Sequence, residues 1–174
     1  KFHDISVLNM SNFLKSNSNI KFYMIEFHIG NNDNIKVFLS ENEGMGRSNN
    51  KGINESNTQF VFIINPDTIF KNDAIKNIFD AAKSIDDFAI IAPISNKNEF
   101  PNYILKKDSS FDSDKPFEVK SVDGYAMLFN LKKLKQLNFD FFDENFFLYL
   151  ENEDLCKRLI ENNENIYIVP KSKI

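Results

Sequence analysis

The chain has 174 residues, a formal net charge of −4, 42% hydrophobic and 26% charged residues. That is long enough for one domain with its own core and too apolar for a disordered segment. The acidic balance, with no basic block, excludes the electrostatic footprint of a nucleic-acid binder, and the single cysteine, Cys156, excludes an internal disulfide and a cysteine-based zinc site.

Asp4 stands where it would cap a first helix, with Leu8, Met10, Phe13 and Leu14 as its buried side. Ile20 to Phe27 and Ile35 to Leu39 read as strands, separated by a turn at Gly30 to Asn34. A loop from Asn42 to Gly52 leads into a short helix. Phe60 to Ile64 is a run of five apolar residues, too short and too β-favouring for a helix, and reads as a strand buried on both faces. Asn72 or Asp73 starts a helix whose Ile75, Ile78, Phe79 and Ala82 share one face. Phe88 to Ala92 is a strand ended by Pro93. Ser95 to Lys115 is a polar surface excursion. Phe117 to Val122 and Tyr125 to Phe129 are strands joined through Asp123-Gly124, and Leu131 to Leu137 is a short helix. An aromatic and acidic loop, Phe139 to Phe147, precedes a helix over Leu148 to Glu161 with Leu148, Leu155 and Leu159 inward. Ile166 to Val169 is a last strand closed by Pro170. Strand and helix alternate through the first half, which predicts an α/β fold on a parallel sheet, with a more mixed second half. No apolar run reaches membrane-spanning length and no signal peptide is visible. The chain starts at Lys1 and stops soon after its last strand, so we expect a single domain over 1–174, truncated at both ends.

Three clusters can carry chemistry. In Asn42 to Gly52, glycines permit close backbone approach, and Arg47, Asn49 and Asn50 offer donors suited to a diphosphate or a sugar. The same residues also make a plain Gly/Asn turn before a helix, and taken alone that is the simpler reading. At Asn65-Pro66-Asp67, a carboxylate stands past the carboxyl end of a buried strand, where open α/β sheets place ligands. It suits a hard divalent cation, and it suits equally a turn or helix cap. From Phe141 to Arg158, acids crowd among aromatics. An apolar surround raises a carboxylate pKa, which suits a general base, while an acidic helix start is also favourable to the helix dipole.

The order and spacing of these clusters resemble the family 2 glycosyltransferases of GT-A fold, in particular their bacterial rhamnosyltransferase-like branch. The residues that carry the likeness are Asn42, Gly44, Asn50 and Gly52, then Asn65-Pro66-Asp67-Thr68, Gly124 with Met127-Leu128-Phe129, and Phe142-Asp143-Glu144 through Arg158. The resemblance implies a Rossmann-like, mixed but mostly parallel sheet flanked by helices. It implies inverting transfer of a hexosyl or deoxyhexosyl group from a nucleotide-diphosphate sugar to a glycan or lipid-linked acceptor, in surface polysaccharide synthesis. Asn42, Gly44, Arg47, Asn49, Asn50, Asn65 and Asp67 would bind the donor, with Asp67 on a Mn2+ or Mg2+ ion. Asp123, Gly124 and Tyr149 would border the acceptor.

One departure bears on catalysis. The family's Glu-Asp pair, whose second member serves as base, stands here as Glu151-Asn152, and an amide cannot take that proton. Glu151 or Glu153 would then substitute, or the domain binds a nucleotide sugar without turning it over. The resemblance places the protein in the cytoplasm, with peripheral association at the inner face of the membrane. A glycoside hydrolase with paired carboxylates is a weaker alternative, because the acids crowd one helix start and Asn65-Pro66-Asp67 is left unexplained.

Overall fold

A computed structural model of the chain describes residues 5–12, 22–28, 35–40, 43–65, 67–95, 101–107 and 109–174. Its centre is the strand that the apolar run announces, β4 (Phe60–Ile64), buried along its whole length. The strand alternates between two cores. Val61 and Ile63 join one cluster with Ile53, Met127, Phe129, Leu155 and Leu159. Phe60, Phe62 and Ile64 join the other with Ile78, Phe79, Phe88 and Leu128. Both faces being apolar, the strand must lie between two layers of helices. Full burial of a side chain such as Phe62 stabilises the fold by about 1.5–3 kcal/mol.

Around β4 the chain sets β1 (Ile5–Asn12), β2 (Phe22–His28) and β3 (Ile35–Ser40) on one side. On the other side stand β5 (Ile90–Ile94), β6 (Tyr103–Leu105), β7 (Phe117–Val122), β8 (Ala126–Phe129) and β9 (Ile166–Lys173). The sheet order is β3-β2-β1-β4-β8-β5-β9-β7-β6. In the central part, β1, β4, β5 and β9 run one way and β8 runs against them between β4 and β5. The sheet is thus mixed, with its central strands mostly aligned. β1, β2 and β3 form an antiparallel meander, so the parallel α/β alternation expected of the first half begins only after β3.

α2 (Ala74–Ser84) covers one face through Ile78, Phe79 and Ala82, as its spacing predicts, with Ile75 partly buried at the edge of that face and Ala81 buried beside it. α1 (Met45–Glu55), α3 (Leu131–Gln136) and α4 (Glu151–Glu161) contribute Ile53, Leu131, Leu134, Leu155 and Leu159 to the core on the other face. α3 begins at Asn130, whose side chain accepts a hydrogen bond from Lys133 N.

Five expectations are corrected. Residues 45–52, expected in a loop before a short helix, are themselves the greater part of α1 (Met45–Glu55). Residues 5–12 form β1 and not a helix: it pairs in parallel with β4 and antiparallel with β2, and two ladders outweigh a helical assignment of Leu8 and Met10. Asp4, Phe13 and Leu14 lie outside the described residues. Neither Pro93 nor Pro170 ends its strand. The β5–β9 register jumps between Pro93 and Ile94, from Val169 to Lys173, so Pro170 sits in the bulged stretch and forfeits no ladder bond. The excursion from Ser95 to Lys115 contains β6, paired with β7. Finally, α4 starts at Glu151 and not at Leu148, because Tyr149 and Leu150 have φ of 67° and 69°, left-handed values that no helix accepts; Leu148 is 52% exposed.

Candidate active site

The carboxyl end of β4 opens onto a cleft of about 680 Å³, a size suited to a small organic ligand. The segment after β4 lines it with Asn65, Asp67, Thr68 and Lys71. The far side comes from Asp123 and Tyr125, in the link between β7 and β8, with Ser95 and Asn102 closing the end near β5. Backbone bonds hold the two sides in place. Asn65 N donates to Tyr125 O at 2.8 Å, and Thr68 N donates to Asn65 O at 3.1 Å. Asn102 is a buried brace: its amide donates to Pro93 O at 2.9 Å, its side-chain oxygen accepts from Ser95 N at 2.8 Å, and its carbonyl accepts from Asp123 N at 3.0 Å.

Asp123 is exposed at the rim of the cleft, and Tyr125 behind it is half-buried. Partial desolvation first, and the negative charge of Glu153 second, push the Asp123 carboxyl above its ordinary range. Burial likewise pushes the Tyr125 phenol up to about 12, so it is a neutral hydrogen-bonding group at physiological pH. Asp67 is exposed and lines the cleft.

The Asn/Gly stretch, which runs from the N-cap Gly44 into α1, behaves differently. Asn42 lies outside the described residues. Gly44 is buried with φ of 91°, and a Cβ there would stand 2.3 Å from the Phe147 carbonyl oxygen. That approach lets Met45 N donate to Phe147 O at 3.2 Å. Asn50 uses both ends of its amide on Phe142, donating to its carbonyl at 2.8 Å and accepting from its N–H at 3.0 Å. Arg47 donates to Glu144 O at 3.2 Å and faces the Glu144 carboxylate at 3.6 Å. Asn49 is wholly buried, and neither amide atom has a partner among the described residues. None of these four lines the Asp67 cleft. The structure brings Gly44, Arg47 and Asn50 together with the Phe142–Phe147 loop instead.

The aromatics of that loop have a packing role. Phe142 is buried and meets Phe129 edge-on at 6.0 Å, with Phe141 also on Phe129 at 6.1 Å. Arg158 donates to Asp154 at 2.7 Å and to the carbonyls of Asp140 and Phe141, and it stands 5.3 Å from the Phe139 ring centre. The acids of α4 then separate. Glu151 is 3% exposed, and one of its carboxylate oxygens has no partner among the described residues. Glu153 is exposed. Asn152 donates to Val122 O at 2.9 Å, and its Cβ lies 3.3 Å from where a Cβ on Gly124 would be. Tyr149 is 75% exposed. Glu151, Asn152, Glu153 and Tyr149 do not line the cleft.

The sequence reading found Asn65, Asp67 and Asp123 and missed Lys71, Ser95, Asn102 and Tyr125. Lys71 carried a signal, a cation four positions after Asp67 on the same connection. Ser95, Asn102 and Tyr125 carried none, since their place depends on β8 inserting between β4 and β5. The oxygen donors of the cleft, two carboxylates with amide and hydroxyl groups, are of hard character, which fits Mg2+ or Mn2+ completed by substrate phosphates, and the Lys71 ammonium suits the phosphates and not the cation. Among the described residues no three His, Cys, Asp or Glu side chains form a cluster that would hold a metal without such a substrate.

Comparison with known proteins agrees with this architecture. The chain resembles a crystal structure of GalNAc-T7 with UDP, GalNAc and Mn2+ at a TM-score of 0.54 and 13% identity, over 75% of this chain and 30% of that one. This chain therefore spans less than a third of that structure. No curated protein sequence matches. The model of Glycosyl transferase family 2 matches residues 16–149, most of the chain, and the chain belongs to that family.

Proposed function

We propose that this domain transfers a hexosyl or deoxyhexosyl group from a nucleotide-diphosphate sugar to a glycan or lipid-linked acceptor, with inversion and with the help of Mn2+ or Mg2+. The observation that carries the reading is the placing of Asp67 in a cleft past the carboxyl end of β4, with Asp123 in the same cleft. Family membership supports sugar transfer, and the similar structure was solved with UDP, GalNAc and Mn2+. The rhamnosyltransferase-like likeness of the motifs supports a bacterial surface polysaccharide as product. Work at the cytoplasmic face of a membrane, by peripheral association, belongs to the same proposal; no described helix is long and apolar enough to cross a membrane.

In this reading Asp67 holds the cation, and Asn65, Thr68 and Lys71 supply donors to the diphosphate beside it. When bound, the cation neutralises the charge that develops on the leaving nucleoside diphosphate. Asp123, Gly124 and Tyr125 orient the acceptor on the opposite wall. Gly44, Arg47, Asn49 and Asn50 shape the neighbouring wall through the Phe142–Phe147 loop. The test is release of nucleoside diphosphate by the full-length protein with Mn2+, against Asp67→Ala. A loss of about 100-fold or more is expected, and equal activity of the variant would sink the metal assignment.

A second reading is a non-catalytic nucleotide-sugar-binding domain of the same fold, favoured by Asn152 in the expected place of the base. Donor binding without transfer or hydrolysis, for any acceptor, would select it.

A further inference from the structure

We propose that the proton acceptor for the incoming hydroxyl is Asp123, at the end of β7, and that Asn152 is a strut that positions it. The inference rests on the glycosyl-transfer reading above. It starts from the puzzle that the helix position expected to carry a base holds an amide. The structure gives that amide a different task. Asn152 Nδ2 donates to Val122 O at 2.9 Å, one residue before Asp123. The same side chain packs against Gly124, one residue after it, with carbon atoms 3.3 and 3.6 Å from the position of an added Cβ. The Asp123 backbone is thus gripped from both neighbours, and its own N–H is held by Asn102 O. A carboxylate at 152 could not donate this bond and would set its charge against the Val122 carbonyl.

The remaining acids of α4 are poorly placed. Glu151 is buried, Asp154 is tied to Arg158, and neither of them nor Glu153 lines the cleft that holds Asp67, whereas Asp123, itself exposed, does. The groups around Asp123 are Glu153 and Cys156 on α4, Tyr125 before β8, and Asp67 and Lys71 in the shared cleft. Partial desolvation and Glu153 together raise its affinity for a proton, which improves a base whose ordinary value lies far below neutral. In the reaction the acceptor O–H gives its proton to the Asp123 carboxylate. The freed oxygen forms the new bond to the anomeric carbon. The bond from that carbon to the diphosphate oxygen breaks, and its electron pair leaves with the nucleoside diphosphate.

The experiment compares wild type, Asp123→Asn, Asp123→Glu, Glu153→Gln and Asn152→Asp in the full-length protein. It uses a panel of nucleotide-diphosphate sugars with cell-envelope acceptor extracts, and binding of UDP with Mn2+ by calorimetry. Asp123→Asn should lower kcat by about 10²- to 10⁴-fold with donor KM and UDP–Mn2+ affinity within about threefold of wild type. Asp123→Glu should recover part of that loss, a recovery that a merely structural role would not produce. Glu153→Gln should keep more than about a tenth of the turnover and move the acidic limb of the pH profile to lower pH, since it removes a charge that raises Asp123. Asn152→Asp should lower turnover. Asp123→Asn with turnover within about tenfold of wild type, or Asn152→Asp with raised turnover, overturns this assignment alone. If Asp123→Asn fails to fold, Asp123→Glu decides: an unchanged pH profile overturns the assignment. A wild type that binds UDP–Mn2+ and transfers nothing overturns the transfer reading and this inference together.

Discussion

Two regions of this molecule have the same kind of residues and opposite fates. At the end of β4, Asn65, Asp67 and Lys71 face an open cleft. At the start of α1, Gly44, Arg47 and Asn50 are taken up by contacts with the Phe142–Phe147 loop. The difference lies in what stands opposite. Past β4 the facing wall is the β7–β8 link, whose backbone touches the strand end at Tyr125 O while the Asp67 and Asp123 side chains line an open cleft. Past Gly44 the facing segment is backbone in direct contact. An Asn/Gly-rich stretch and a strand-end carboxylate are thus equal as motifs, and only the packing divides scaffold from site.

The comparison can be broken most severely at Gly44. Gly44→Ala puts a Cβ 2.3 Å from the Phe147 carbonyl oxygen at a φ of 91°, and should cost about 3 kcal/mol or more in urea unfolding. A cost below about 1 kcal/mol would mean that α1 and the loop are not in fixed contact. Next is Asn50→Ala, which removes two hydrogen bonds to the Phe142 backbone and should cost about 2 kcal/mol, with donor KM changed less than about threefold. The reverse result, weakened donor use without lost stability, would return Asn50 to the site. The smallest effect is expected on the cleft side. The Tyr125 phenol is pushed up to about 12 by burial, so above pH 10 the unfolded chain releases this proton while the fold retains it. Stability should then decline as pH rises from about 10 to 12, and Tyr125→Phe should flatten that decline when unfolding is followed at pH 9 and 11. An equally steep decline in the variant would show that this phenol is not covered.

How much was legible follows the same division. β4 was readable because five consecutive apolar residues fit only a strand covered on both sides, and α2 because its apolar residues keep helical spacing. Asp67 was readable because it directly follows such a strand. β1 is ambiguous in sequence, because Asp4 offers a helix cap while Leu8-Asn9-Met10-Ser11 alternates with period two, and only its pairing with β2 and β4 decides for a strand. The prolines misled because a bulge, which depends on a partner strand, removes the demand for their missing N–H. Asp123 was seen as a neighbour of Gly124. Its grip by Asn152 and Asn102 was not visible, because it joins residues from β7, α4 and the excursion after β5.

The clamp between α1 and the loop also orders events during synthesis. Its bonds join Asn50 to Phe142 and Arg47 to Glu144, 92 and 97 positions apart. An isolated helix of 11 residues rich in Gly, Asn and Ser has little stability of its own. As the chain leaves the ribosome, these bonds must wait through the making of roughly another hundred residues, and until then α1 has little beyond the packing of Ile53 against β4 to hold it.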